Sequence, residues 1–384
     1  MRLAQHNLCT GCGACYASCP AGAIQMVSDN EGFLYPQIKS DKCLNCGLCE
    51  RACPIINQKT TYAPASVVAA YNNDGKIRMQ SSSGGVFYAL AMHVINKKGV
   101  VFGATIDCAD MLVKHIAIER ENELDKLQGS KYVQSNVYDI LTKVRDVLIG
   151  GRYVMFVGTP CQVMGLKSYL KKDYPNLICV DLICSSVPSP SAWKRYLEKR
   201  SSSSLVYARF RDKTTGWASY SMRLQFSDKV EYLRENNRDS FLCGFVKNLF
   251  SRPSCGSCPA RKFHGNSDIT IGDYWGVTKH FPFLKDNKGI SLVILNTHKG
   301  TRVFNDLSDD LVIYPSSIER AVEVNPALVK DWPAHKNRQE FFDKLEHTDF
   351  DKLVWSMLGD RPKSKLVIKF LNLCYRLKKI CKLV

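Results

Sequence analysis

The chain has 384 residues, 45% of them apolar, enough for a small module plus one large domain. No run of about 18 apolar residues occurs, so no bilayer-crossing helix is expected. The formal charge of +17 suggests nucleic acid, but 8 of those charges lie in the last 24 residues, where no acid occurs. The excess is largely a tail property, and no nucleic-acid partner is expected.

The start, Met1 to Cys9, leaves no room for a signal peptide's apolar region. Seventeen cysteines without an export signal point to metal ligation in a reducing cytoplasm. They begin with Cys9-Thr-Gly-Cys12-Gly-Ala-Cys15-Tyr-Ala-Ser-Cys19-Pro20, answered 34 positions later by Cys43-Leu-Asn-Cys46-Gly-Leu-Cys49-Glu-Arg-Ala-Cys53-Pro54. Three thiolates two residues apart wrap a loop around one iron–sulfur cube, and the fourth, ahead of proline, reaches the other cube. The spacing therefore predicts one [4Fe–4S] cluster on Cys9, Cys12, Cys15 and Cys53, and another on Cys43, Cys46, Cys49 and Cys19. Zinc sites favour pairs of cysteines, and disulfide scaffolds belong to small secreted chains, so both fit less well.

Between the two runs, Ala23–Val27 and Phe33–Ile38 alternate around Ser28-Asp-Asn-Glu-Gly32 and read as a hairpin. Residues 1–58 thus form a bacterial-type two-cluster ferredoxin module, followed by a polar connector to about residue 66. Strands are expected at Val67–Tyr71, Val100–Ile106, Tyr153–Val157 and Leu177–Ile183, with helices at Val86–Ile95 and Gln162–Lys172. This order implies a parallel or mixed sheet covered by helices. Leu205 to Phe226 alternates like antiparallel strands, and residues from about 330 onward look helical and peripheral.

A second cysteine group follows. Cys161 and Cys184 each stand just past a predicted strand, and one helix joins those strands. A crossover would make the strands parallel and place both cysteines at the edge where open α/β sheets bind ligands. Cys255-Gly-Ser-Cys258 supplies two more thiols, with Cys243 as a spare. Four converging thiolates would hold a third cluster; buried free cysteines, a zinc half-site or a redox pair are the alternatives. Cys108, Cys179, Cys374 and Cys381 show no ligand spacing.

Ser83-Gly84-Gly85 at a helix start offers bare amides to a phosphate, although a serine-capped turn explains it too. Gly158-Thr-Pro and Gly129-Ser-Lys131-Tyr are similar, and together they suggest a dinucleotide crevice without a G-x-G-x-x-G fingerprint. Cubes pass single electrons, and a flavin is the usual coupler to two-electron partners. No general acid is evident; His264 reads as a surface histidine.

These residues resemble the family of beta subunits of coenzyme F420 hydrogenase and F420H2 dehydrogenase, in its shorter bacterial branch with the ferredoxin module fused in front. The matching stretches are Ser82-Ser-Gly-Gly-Val86, Gly129-Ser-Lys-Tyr132, Gly158-Thr-Pro-Cys-Gln162, Ile183-Cys184 with Val187-Pro-Ser189, Cys255-Gly-Ser-Cys258, and Asp268-Ile-Thr-Ile-Gly-Asp-Tyr-Trp-Gly276. The likeness spans the chain to about residue 350. It implies an α+β ferredoxin module followed, over residues 59–350, by a mixed-sheet α/β flavin-binding domain. It further implies a third [4Fe–4S] cluster on Cys161, Cys184, Cys255 and Cys258, and FAD contacts at Ser83, Gly84, Gly85, Thr159 and Gln162, extending to Lys131, Asp268 and Asp273.

The function implied is an FAD-dependent iron–sulfur oxidoreductase that exchanges electrons with a ferredoxin-like partner. Its organic substrate is an F420-like coenzyme or a polysaccharide-biosynthesis intermediate. The alternative is a non-catalytic electron-transfer subunit. Finally, residues 361–384 form a basic amphipathic helix, suited either to an anionic membrane surface at the inner face or to packing on its own domain.

Overall fold

The structure, a computed structural model, describes residues 3–57, 66–261 and 267–359. The basic segment 361–384 and His264 lie outside these residues. Among the described residues no helix is long and apolar enough to cross a membrane.

The N-terminal module is built as its repeat requires. Strands β1 (Ile24–Ser28) and β2 (Leu34–Ile38) pair antiparallel, as expected. The Asp29 carboxylate accepts the Glu31 and Phe33 amides and closes their turn. Two short helices, Ala14–Ala17 and Leu48–Arg51, follow the two cysteine loops. Gly13 (φ 76°) and Gly47 (φ 72°) introduce them, 34 residues apart. A Cβ is disfavoured in that left-handed conformation, so the sequence repeat is also a repeat of backbone shape.

Six strands open the large domain: β3 (Ser66–Asn72), β4 (Val100–Asp107), β5 (Leu112–Ile118), β6 (Ser135–Asn136), β7 (Val154–Gly158) and β8 (Leu177–Leu182). Then come β9 (Leu205–Asp212), β10 (Ser221–Phe226) and β11 (Glu231–Glu235), and finally β12 (Ile269–Asp273), β13 (Ser291–Leu295) and β14 (Leu311–Ser316). Nine of them form one mixed sheet in the order β14-β3-β13-β12-β8-β7-β4-β5-β6. Its centre, β4, β7, β8 and β12, is parallel throughout. β13 runs against both β12 and β3, so β3 points the same way as the parallel set.

The centre is buried on both faces, which is why β7 reads Val-Met-Phe-Val-Gly without a polar residue. Met155 and Val157 meet helix Val86–Asn96 through Ala89, Leu90 and Val94. Phe156 points the other way, into a core with Leu141, Val144, Val163 and Leu166 of helices Tyr138–Ile149 and Pro160–Leu170. Fully burying a side chain of this size contributes about 1.5–3 kcal/mol.

The antiparallel segment from Leu205 appears as the three-stranded sheet β11-β10-β9. It shares a separate aromatic core with helices Pro190–Glu198, Ser240–Val246, Arg338–Leu345 and Phe350–Leu358. Here one expectation is corrected. The helices beyond residue 330 are not peripheral, because Phe341, Leu345, Phe350, Leu353 and Val354 are all buried against Tyr196, Phe241 and Phe250.

The ferredoxin-like module docks by its first half. Arg338 pairs with Glu31, and Tyr16 donates to Asp139 at 3.2 Å. Arg252, fully buried, donates to the carbonyls of Cys9 (2.8 Å) and Leu34 (3.1 Å). Those contacts turn the first cysteine loop inward. Cys46 and Leu44 of the second loop are exposed.

Candidate functional site

The cysteines of the module sort into two small cavities. Cys9, Cys12, Cys15 and Cys53 line one, with Met26, Pro36 and Ile55. Cys19, Cys43, Cys46 and Cys49 line the other, with Ile24, Ile38 and Leu44. The fourth cysteine of each run thus crosses to the opposite cavity. Burial pushes the Cys12 thiol up to about 11, and neighbouring Cys9 and Cys53 add to the rise. Such a pocket favours thiolate only when a cation replaces the proton. Among the described residues no three His, Cys, Asp or Glu side chains stand close enough to hold a single ion. Zinc gathers its thiolates at about 2.3 Å from one centre, whereas a cube spreads them over four irons. The donor set fits the cube.

In the large domain the parallel sheet delivers the thiols to one edge. β7 and β8 are adjacent and parallel, so Cys161 and Cys184 leave their C-terminal ends side by side. Cys161 sits in the first turn of helix Pro160–Leu170, held by a capping box between Thr159 and Gln162 with Pro160 at the first position. Cys255 and Cys258 arrive on the short 3₁₀ turn Pro253–Ser257. All four line one wall of a cavity of about 670 Å³. Burial drives the Cys184 thiol well above its ordinary value, and Cys255, Cys161 and Cys258 each push further. Cys243 is elsewhere, donating to the Asn236 carbonyl. Cys179 is fully buried in the core, and Cys108 donates to the Val206 carbonyl.

The inner module cavity and this wall stand back to back. One turn beyond Cys161, Gly165 presents no side chain; a Cβ there would lie 2.7 Å from Cys12 Cβ and 2.9 Å from its Sγ. Cys12 also contributes to the rise of the Cys161 thiol, after burial and the nearer thiols.

The same sheet edge gathers a group of cations. Arg211, from β9, forms a buried two-pronged pair with Asp273 at the end of β12, at 2.6 and 3.1 Å, and also donates to the Ser82 carbonyl. Lys213 donates to the carbonyls of Arg78, Ser83 and Lys288. Burial lowers the Lys213 amine to about 7, opposed by Asp273 and reinforced by Arg211, Arg78 and Arg209. Lys131 is lowered to about 7 by burial and Arg209. Trp217 stacks on Trp275 at 4.9 Å and donates to Asp273. Five cations stand around the Ser82–Gly85 loop, with Asp273 and Asp286 as their paired carboxylates.

The seven residues expected to touch cofactor are placed as follows. Ser83 and Gly84 tie to β13 through the Ile290 carbonyl and Ser291 Oγ, and Gly85 opens the following helix. Lys131 donates to the carbonyls of Lys126 and Gln128. Thr159 and Gln162 cap their helix, and Gln162 also donates to Ser135. Asp273 pairs with Arg211. The cavity lining includes none of the seven, although the strand directions bring all of them to its edge of the sheet. Asp268 accepts from the Cys179 amide and Thr297, tying β12 to its neighbours.

Sequence reasoning missed Arg211, Lys213, Arg252 and Asp181. The alternation Arg209-Phe-Arg-Asp-Lys213 did carry a signal, since a strand puts those three cations on one face. Arg252 and Asp181 carry none.

Asp181 lies on β8 in the cavity wall, with Oδ1 lacking a hydrogen-bond partner among the described residues. Burial raises its carboxyl from 3.8 to about 7, and the hydroxyls of Thr270 and Ser267 only partly oppose this. A raised carboxyl contributes stability below its unfolded value and loses it as pH climbs toward the folded one. Wild-type protein therefore loses stability between pH 4 and pH 7 at this group. Asp181→Asn should gain on it by roughly 3 kcal/mol across that window, read by urea unfolding at each pH. Parallel curves for the two proteins would refute the assignment.

Comparisons with known proteins agree with this layout. Residues 151–321 match the family model for the C terminus of the coenzyme F420 hydrogenase/dehydrogenase beta subunit, and residues 8–55 match "4Fe-4S dicluster domain". A curated relative, one of the subunits of F(420)H(2) dehydrogenase in Methanosarcina mazei, is 25% identical over 172 residues, covering 41% of this chain and 47% of its own length. The match thus spans about half of that relative. A solved structure of the F420-reducing [NiFe] hydrogenase complex from Methanosarcina barkeri aligns at 16% identity and a TM-score of 0.47, over 74% of this chain and 92% of that one. The chain therefore carries, behind a 4Fe-4S dicluster domain, the C-terminal domain that defines the family of coenzyme F420 hydrogenase/dehydrogenase beta subunits.

Proposed function

We propose that the chain is an iron–sulfur flavoprotein oxidoreductase with a ferredoxin module over residues 1–58 and a flavin-binding domain over 59–350. The observation that carries this is the convergence of Cys161, Cys184, Cys255 and Cys258 on one cavity wall, back to back with Cys12. When bound, three cubes would supply single-electron transfer and a flavin the coupling to a two-electron organic partner.

The residues then divide the work. Cys9, Cys12, Cys15 and Cys53 hold the inner cube, Cys43, Cys46, Cys49 and Cys19 the outer one, and the large-domain four the third. The exposed Cys46 and Leu44 make the outer loop the port that faces a redox partner such as a ferredoxin. Flavin fits the sheet edge because its pyrophosphate would answer the excess of cations around Ser83, Gly84 and Gly85, with Lys131 beside them. Thr159 and Gln162 hold the helix start that presents Cys161, and Asp273 keeps Arg211 in place. The relatives' names point to a deazaflavin coenzyme of the F420 type as the organic partner, with a glycan intermediate as the other candidate.

A second reading, an electron-transfer subunit serving a separate enzyme, is favoured by the relative's being named a subunit. Protein purified without oxygen should contain about twelve irons and one FAD per chain. Colourless protein, or protein holding zinc, would remove the redox reading. Flavin-loaded chain that passes electrons from dithionite to no organic acceptor would favour the subunit reading.

A further inference from the structure

Arg252 is 1% exposed, yet no carboxylate accepts from its guanidinium among the described residues. Its acceptors are neutral: the carbonyls of Cys9 and Leu34 and, at 2.7 Å, the side-chain oxygen of Gln134. Its guanidinium also lies 4.1 Å from the centre of the Tyr35 ring. A buried charge without a counter-charge costs several kcal/mol, so such cations are retained where an anion stands close by. Two thiol sets meet that description. Arg252 grips the backbone of Cys9, in the inner module cavity, and stands three residues before Cys255, whose amide donates back to the Arg252 carbonyl at 3.0 Å. It lines the large cavity together with Cys161, Cys184, Cys255 and Cys258.

We propose that Arg252 is a positioning residue shared by the inner module site and the large-domain site, and that its charge sets the potential of the cluster on either side. The inference rests on the iron–sulfur reading above. Thiolate-ligated cubes carry net negative charge, and reduction adds one electron more. A fixed cation against both sites therefore favours the reduced state of each. The outer site, on the exposed loop, is turned away from Arg252 and escapes this influence. Arg252 also fixes distance, since its donors reach Cys9, Leu34 and Gln134 at once and hold the module on the large domain.

The test is a potentiometric titration of full-length, oxygen-free protein followed by electron paramagnetic resonance. In Arg252→Gln, two midpoints should each fall by about 59 mV, a tenfold shift of a one-electron equilibrium. The third midpoint, identified as the one that Cys46→Ser moves or abolishes, should stay in place. If Arg252→Gln does not accumulate as folded protein, Gln134→Glu serves instead. It sets a carboxylate against the same guanidinium, and the same two midpoints should fall. Unchanged midpoints with full iron content, in whichever variant folds, overturn the proposal: an arginine that only braces the fold would alter stability and leave the potentials alone. Wild-type protein without iron would sink the iron–sulfur reading itself, so metal content separates the two failures.

Discussion

Gly165→Leu protein, purified without oxygen, should contain about four irons fewer than wild type and should melt several degrees lower. In an ordinary helix interior, replacing glycine stabilises by about 1 kcal/mol. Here the sign reverses. The new Cβ would meet Cys12 Cβ at 2.7 Å and the Cys12 carbonyl at 3.2 Å, atoms of a fixed loop and not the free end of a side chain. Overpacking costs typically about 1–3 kcal/mol, which outweighs the helical gain. The strain falls on the loop that carries three of the four inner thiols. A colorimetric iron assay with a thermal melt decides it, and full iron with an unshifted melt would show that the helix and loop are not in contact.

Cys184→Ser protein should likewise lose about four irons, but from a different place, keeping about eight. Cys184 is the thiol on which burial and the three other large-domain thiols act together, so it depends most on a bound cation. A hydroxyl neither ionises near neutral pH nor bonds iron as a thiolate does. The two module clusters should keep their resonance signals, because none of their ligands touches the mutated position. Protein with unchanged iron would reduce the large-domain four to buried packing cysteines.

The two experiments also separate what was legible in the sequence from what was not. The module cysteines were legible because each three-thiol loop is a local object, its ligands two residues apart and its glycine conformation repeated at Gly13 and Gly47. Cys161 and Cys184 were nearly so: each follows an uninterrupted apolar strand, and one helix between two strands permits little besides parallel pairing. Their convergence with Cys255 and Cys258 needed the fold, since about seventy residues and a second aromatic core intervene. The helices after residue 330 read as peripheral because their apolar residues are few; only packing showed that Phe341 and Phe350 close that core. Arg252 was invisible, its partners lying 118, 218 and 243 positions away.

By itself the sequence determined the chemistry available: two cages of four thiols, a strand-and-helix domain behind them, and four further thiols to be accounted for. Those features follow from short-range geometry, in which ligand spacing, turn conformation and hydrophobic period act over a few residues. The tertiary structure alone decided which cage faces inward, that Gly165 lets Cys12 approach the large-domain thiols, and that a lone buried guanidinium stands between them. Such juxtapositions depend on how nine strands order themselves in one sheet and where a small module docks on it. Contacts that distant in the chain leave no periodic trace in it.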